Sequence, residues 1–290
     1  MNDRTTSENQ FRTLTGMPRW LSWMVASALL LMFIALTVNV WLLSEQLQRI
    51  SQSDQQQDFW TLCHSGTTVS ARTESFLRLA ASGNTEWRSA NLSELSLDSV
   101  DLAGLNLQRA ALTSGSFQKA NFTEADLTSA SLDLSDFTKT VFAKCRMRNA
   151  TLFKTRLNEA DFRNADLLSA SLEQSVAHKA SFVAAKMGDA FLAMADLSGA
   201  NFTGADLTGA NLEAAVLNSA DLALANFHMA TLTDTDLTDT NWWRSRGFTS
   251  LQLDEFTLLF PPSPNAPESR RRDFEIWLTR RIEEHPAAKP

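Results

Sequence analysis

The sequence predicts a solenoid: a rod of short stacked coils, with one apolar helix ahead of it and one amphipathic helix behind it. Three observations point there. A five-residue pattern runs unbroken through about 150 residues. Residues 20–43 form a stretch without a single charge. A final segment, behind a Pro-rich break, carries apolar side chains at three- and four-residue spacing.

The totals set bounds. The chain has 290 residues, 44% of them hydrophobic, enough for one large domain or two small ones. A formal charge of -7 argues against nucleic acid as a partner. The two cysteines, Cys63 and Cys145, form no CxxC pair. The four histidines have no metal-ligand spacing, so neither a disulfide framework nor a metal or cofactor site is expected.

The apolar stretch reads WLSWMVASALLLMFIALTVNVWLL. As a helix it is about 36 Å long, enough to cross a hydrocarbon core of about 30 Å. Arg19, Trp20, Trp23 and Trp41 sit near its ends, where interfacial residues belong. A cleaved leader has a shorter apolar run and a small-residue site, and no A-x-A follows here. An uncleaved single-pass anchor is therefore expected. Arg4, Arg12 and Arg19 precede it, against Arg49 alone close behind. The positive-inside rule then predicts that residues 1–19 are a cytoplasmic tail and that the rest of the chain lies outside, in the periplasm of a two-membrane bacterium. Residues 44–69 read as a polar helical stalk, broken at Ser65–Thr68.

The repeat comes next. Its large apolar centres fall every fifth residue from Leu92 to Trp242, at 31 positions: 19 Leu, eight Phe, two Met, Ala177 and Trp242. Two residues before the centre stands Ala in 20 cases, and otherwise mostly another small residue. Segments such as ANFTGADLTGANL and ANFTEADLTSASL carry an A-(D/N)-L-x-x signature. In this the chain resembles the pentapeptide-repeat family, over roughly residues 88–243. The resemblance implies an all-β fold: a right-handed quadrilateral β-helix, one pentapeptide per side and 20 residues per coil, hence about eight coils over residues 90–243.

Sorting the centres by 20 agrees with four sides. One side receives Leu92, Leu112, Leu132, Leu152, Leu172, Leu192, Leu212 and Leu232. Another contains Phe122, Phe142, Phe162, Phe182 and Phe202. These thirteen form the expected structural core, like side chains stacking in register. The Asp or Asn just before many centres is expected to bond local backbone N–H groups at the turns. At Ala177 a large centre is missing, which predicts a void or an inward shift of a neighbour.

Open coil ends need covers. Residues 70–89 read as an N-terminal cap helix with Phe76, Leu77, Leu79 and Ala80, closed by Gly83 and Asn84. Residues 244–290 read as a C-terminal cap in which Phe256 to Phe260 cover the last coil, then a Pro-rich linker, then a helix with Phe274, Trp277, Leu278 and Ile282. That helix is expected either to pack back on the rod or, as the resemblance implies for some family members, to pair two chains tail to tail as a homodimer.

No nucleophile–base pair, phosphate loop or metal motif is present, so no catalytic residue is assigned and no enzyme is expected. Cys145 occupies a small inward position and reads as inert. Cations cluster between Lys139 and Arg163, including Lys144, Arg146, Arg148 and Arg156, whereas residues 187–243 contain none. A basic middle and an acidic end are therefore expected, with Phe153 and Phe191 on outward positions. These six, with Phe274 and Trp277, are the candidate interaction residues. The function expected is a non-catalytic, membrane-tethered scaffold for an unidentified protein partner at the membrane or cell envelope. The resemblance also implies an alternative: some acidic members mimic DNA and protect type II topoisomerases from quinolones. The span and the basic middle oppose it.

Overall fold

The computed structural model describes residues 19–63 and 66–284, without the side chains of residues 19–31, 35, 46–51 and 63. Two units divide the chain, Met1–Gln57 and Asp58–Pro290, each taken here by itself.

Helix α1, Arg19–Cys63, supplies all of the first unit's described structure and runs on into the second. The expected span and stalk form this one helix. In the apolar stretch Met32, Phe33, Ile34, Leu36, Val38, Val40, Trp41, Leu42 and Leu43 are all exposed. Among the described residues no helix is long and apolar enough to cross a membrane. Thr37 and Asn39 are exposed as well, and the side chains of residues 19–31 and 35, with Arg19, Trp20 and Trp23 among them, lie outside those described.

In the second unit the five-residue period becomes geometry. Every bridge pairs residue n with n + 20 in parallel, from Glu86–Asn106 to Asn226–Arg246. Four pentapeptides therefore close one coil. Leu112 N–H donates to Ser131 O at 2.7 Å, and Ser114 N–H to Asp133 O at 3.0 Å; the same pair recurs coil after coil. Each side contributes one isolated bridging residue, and no continuous strand forms among the described residues. The reason is length: turning a corner takes most of five residues, as Ala110 N–H to Leu107 O at 3.0 Å shows.

The third residue of these turns has positive φ, as in type II turns. Twenty-seven non-glycine residues adopt it, and none is Val, Ile or Thr. Branching at Cβ makes that conformation far more costly. Even unbranched residues lose about 1 kcal/mol there. Lys119, at φ 58°, offsets it by donating its N–H to Thr138 O at 2.9 Å.

The centres and the small residues two before them are buried, and the other three positions face outward. Phe122, Phe142, Phe162, Phe182 and Phe202 stack at 5.2, 4.8, 4.9 and 4.8 Å, the spacing of the coils. Each buried Leu or Phe contributes about 1.5–3 kcal/mol before entropy is subtracted. Leu92 to Leu212 are buried, but Leu232 is only partly so, because no coil follows on its side. Where inward positions hold hydroxyls, backbone carbonyls satisfy them, on the neighbouring coil for Thr140 Oγ1, which donates to Phe117 O at 2.6 Å, or on the same coil for Thr155 Oγ1, which donates to Leu152 O at 2.7 Å. Beside Ala177 this fails, and Ser175 Oγ is buried without a partner.

Both ends differ from expectation by one repeat. Trp87 belongs to the first coil rather than the cap, since Glu86 already bridges to Asn106. Arg246 still bridges to Asn226 beyond Trp242, with Gly247 where a large centre would stand. Helix α2, Val69–Ala81, caps the start, with Thr68 as its N-cap. It buries Phe76 and Leu79 but exposes Leu77. Arg72 reaches back to donate to Asn91 O at 2.9 Å and Ser93 O at 3.2 Å, two carbonyls that would otherwise face a preceding coil. Arg78 holds Asp58 through its Nε at 3.0 Å. At the far end α3, Ser250–Leu259, starts at a capping box of Thr249 and Gln252, and α4, Glu268–Glu284, follows the Pro-rich turn. Trp242 packs against Phe256, Phe274 and Trp277. Of the expected cover, Phe256 is buried, whereas Leu258 and Leu259 are exposed.

Candidate interaction surface

The coil repeat that stacks the centres also stacks the charges. Lys144 Nζ lies 3.0 Å from Glu124, Arg146 Nε 3.1 Å from Asp126 and Arg156 NH1 3.6 Å from Asp136, each 20 residues apart. Lys139 meets Glu159 at 3.5 Å, Arg148 meets Asp166 at 2.7 Å, and Arg163 meets Asp161 at 2.6 Å. Six of the seven cations between 139 and 163 are thus paired; the seventh, Lys154, lies 5.0 Å over the Phe153 ring. The expected basic middle is therefore corrected to rungs of balanced charge. Acids that are 20 residues away in sequence are about 5 Å away along the rod.

The pairing shapes titration. Burial raises the pKa of the Asp126 carboxyl, but the Thr128 hydroxyl, the Gln108 amide and Arg146 together hold it below the usual carboxylate range. At the C-terminal cap, donation from Arg244 outweighs burial and, with the Trp243 indole at 2.7 Å, holds Asp273 low as well. Burial pushes the Cys145 thiol up, far from thiolate, in line with the inert reading.

The Asp and Asn residues before the centres act locally. At fifteen of them, Asn91 to Asp236, the side chain accepts the backbone N–H two residues on. Asn241 instead accepts from Leu222 N–H at 2.6 Å. His178 lies 2.7 Å from Asp196.

Among the candidate residues Phe191 is 47% exposed and Phe153 half-buried. Both lie on the outside of the all-leucine side, with exposed Leu134 and Met194 at its turns, which sequence reasoning missed. Phe274 is buried and Trp277 partly buried in the cap, so both are committed within the chain. The final helix packs back on the rod end: Trp243 and Arg244 both grip Asp273, and Arg281 holds Asp254 at 2.6 Å. For four of the six missed ion pairs the signal was present as opposite charges at a separation of 20.

Among the described residues no group of His, Cys, Asp or Glu could hold a metal ion. This is a repeat solenoid whose polar chemistry is almost all on its outer surface. The family profile for pentapeptide repeats matches in eight copies, over residues 90–128, 116–152, 130–168, 155–192 and 200–239. The chain belongs, through this segment, to the pentapeptide-repeat family.

Among solved structures, HetL, a pentapeptide repeat protein involved in heterocyst differentiation regulation from the cyanobacterium Nostoc sp. strain PCC 7120, is 24% identical. The match covers 59% of this chain and 95% of HetL, with a TM-score of 0.28. QnrB1, a plasmid-mediated fluoroquinolone resistance protein, is 18% identical over 57% of this chain and 97% of its own, with a TM-score of 0.37. A pentapeptide repeat protein from the Arabidopsis thaliana thylakoid lumen is 25% identical over 39% of this chain and 68% of its own, with a TM-score of 0.21. No curated protein matches the chain significantly.

Proposed function

We propose that the protein is a non-catalytic, membrane-tethered scaffold that binds another protein through the surface of its rod. One observation carries the binding half: the interior is closed by stacked side chains, so the groups left to act are outward ones in repeating rows. Rows at fixed spacing suit recognition of an extended surface. The tether rests on α1, where apolar side chains from Met32 to Leu43 are exposed all round the helix, an arrangement water disfavours and lipid accepts. In this reading the tail before Arg19 is cytoplasmic and the rod extracytoplasmic. Crosslinking in intact membranes followed by affinity capture should recover one specific protein; repeated recovery of none counts against the reading.

A homodimer through the C-terminal helix is a narrower option. Ile276 of α4 is exposed, but Phe274 and Trp277 already serve the cap, which leaves little apolar surface for it. Light scattering on the detergent-solubilised chain decides between monomer and dimer.

The DNA-mimic alternative gains one point, since cations of the middle are held in ion pairs and do not form an uninterrupted basic patch. A topology reporter fused to the C-terminus separates the two readings: a cytoplasmic signal favours the mimic and sinks the envelope scaffold.

A further inference from the structure

On the last coil the backbone edge is left open at more than one side, among them the one centred on Leu232. On each earlier coil this side, the all-leucine one, donates twice to the next coil and accepts once. Leu212 N–H donates to Thr231 O, Ala214 N–H to Thr233 O, and Ala210 O accepts from Thr231 N–H, all at 2.9 Å. One coil later the equivalent groups are the Leu232 N–H, the Asp234 N–H and the Ala230 carbonyl. None of the three has a hydrogen bond among the described residues.

The chain has turned away just before it could cover them. At Gly247, φ 95°, the backbone crosses so close to His228 that a Cβ would lie 2.3 Å from its nitrogen. Helix α3 then begins at Ser250 and runs beside the edge instead of continuing it. Between edge and helix lies a groove of about 760 Å³. Leu232, Phe256 and Leu259 give it an apolar wall; Asp234, Asp236 and Glu255 make it acidic, and no Lys or Arg lines it.

We propose that this groove takes an extended, lysine- or arginine-bearing segment of a partner protein, added as one further parallel bridge on the coil edge. The inference rests on the scaffold reading above and gives its partner a chemistry. The acceptor, donor, donor order of the vacant groups at residues 230, 232 and 234 is one that a parallel neighbour satisfies. A helix cannot satisfy it, because its own N–H and carbonyl groups are already used. Main-chain bonds then hold the segment, and the acidic rim selects cationic side chains. A second copy of this chain would bring the same carboxylates against themselves, which argues against self-pairing here.

The test uses the full-length protein in detergent micelles and three fluorescein-labelled probes: the peptide Lys-Val-Thr-Val-Lys-Thr, its counterpart with Glu for each Lys, and the basic peptide N-methylated at alternate amides. Anisotropy should show the basic peptide binding at least about tenfold more tightly than either of the others. The double variant Asp234→Lys/Glu255→Lys should lose about tenfold in affinity for it, whereas Asp189→Lys, at an exposed turn on another side, should not. Circular dichroism on both variants checks the fold. Equal binding of the acidic or methylated peptide, unchanged affinity in the double variant, or no binding up to about 1 mM overturns the proposal. The crosslinking experiment keeps the two ideas apart. A partner still captured by the double variant overturns the groove and leaves the scaffold standing; a partner lost only in the double variant supports the groove.

Discussion

In the middle of the rod Phe142, Phe162, Phe182 and Phe202 stack with their planes within 12° of parallel. At the C-terminal end Trp242 meets Phe256, Phe274 and Trp277 at 71°, 71° and 83°. Both clusters are aromatic, and they pack in opposite ways. The coils repeat by translation, so identical rings on one side must lie parallel at the coil spacing, whatever ring electrostatics prefer. At the end translation stops. Rings arriving from α3 and α4 are free to take the edge-to-face geometry that their quadrupoles favour. Stability in the rod is thus shared among equivalent coils, while at the end it is concentrated on a few unlike contacts.

The sharpest way to break that comparison is inside the rod. Leu152→Asp places a charge in a fully buried row and should abolish cooperative melting of the solenoid; an unchanged melting curve by circular dichroism would refute the stacked interior. Phe162→Ala should cost about 3–5 kcal/mol in chemical unfolding, because a ring sandwiched between two others leaves a cavity that cannot collapse. Trp242→Ala should cost a similar amount but act locally. Hydrogen exchange should accelerate from residue 242 onward and stay slow around Phe162. Uniform acceleration would show that the end cap and the rod unfold as one.

Arg72→Ala should cost about 1–3 kcal/mol and open the first coil, since it strips the donors from two carbonyls. The carboxylates held low add a pH dependence. Asp58, Asp126 and Asp273 bind protons less readily folded than unfolded, so their stabilisation is complete above the ordinary carboxylate pKa of about 3.9 and is lost as pH falls through the lower folded values. The melting temperature should be flat from about pH 7 to 5 and drop below about pH 4. Asp273→Asn should blunt the acid loss of hydrogen-exchange protection in the C-terminal cap alone. Two smaller effects finish the series. Ser175→Ala should raise stability by about 1 kcal/mol, since it removes a buried hydroxyl with no partner. Lys144→Ala should change it by less than about 0.5 kcal/mol, as expected of an exposed pair.

Much of this was legible in the sequence. The register of the centres gave the coil and its stacked rows, because every side-chain environment along the rod is a copy of its neighbour. The absence of Val, Ile and Thr at the turn position with positive φ was equally readable, against the many Thr one residue earlier, such as Thr113, Thr123 and Thr128. So were four of the six ion pairs, had the charges been sorted by 20 as the centres were. The ends were harder. Trp87 and Gly247 follow the backbone pattern without its usual side chains, and the Thr249–Gln252 capping box of α3 is a four-residue signal inside an aromatic-rich stretch.

By itself the sequence determined the periodic part of this protein: the buried rows, the spacing, the outward faces and the apolar character of its first helix. Local chemistry repeated at constant intervals leaves the chain one economical way to hide its Leu and Phe. Only the tertiary structure decided what happens where the period ends. It committed Phe274 and Trp277 to the cap and left the Leu232 edge uncovered beside α3. Those outcomes depend on contacts between residues roughly 20 to 30 positions apart, or on a single crossing at Gly247, and no five-residue pattern encodes them.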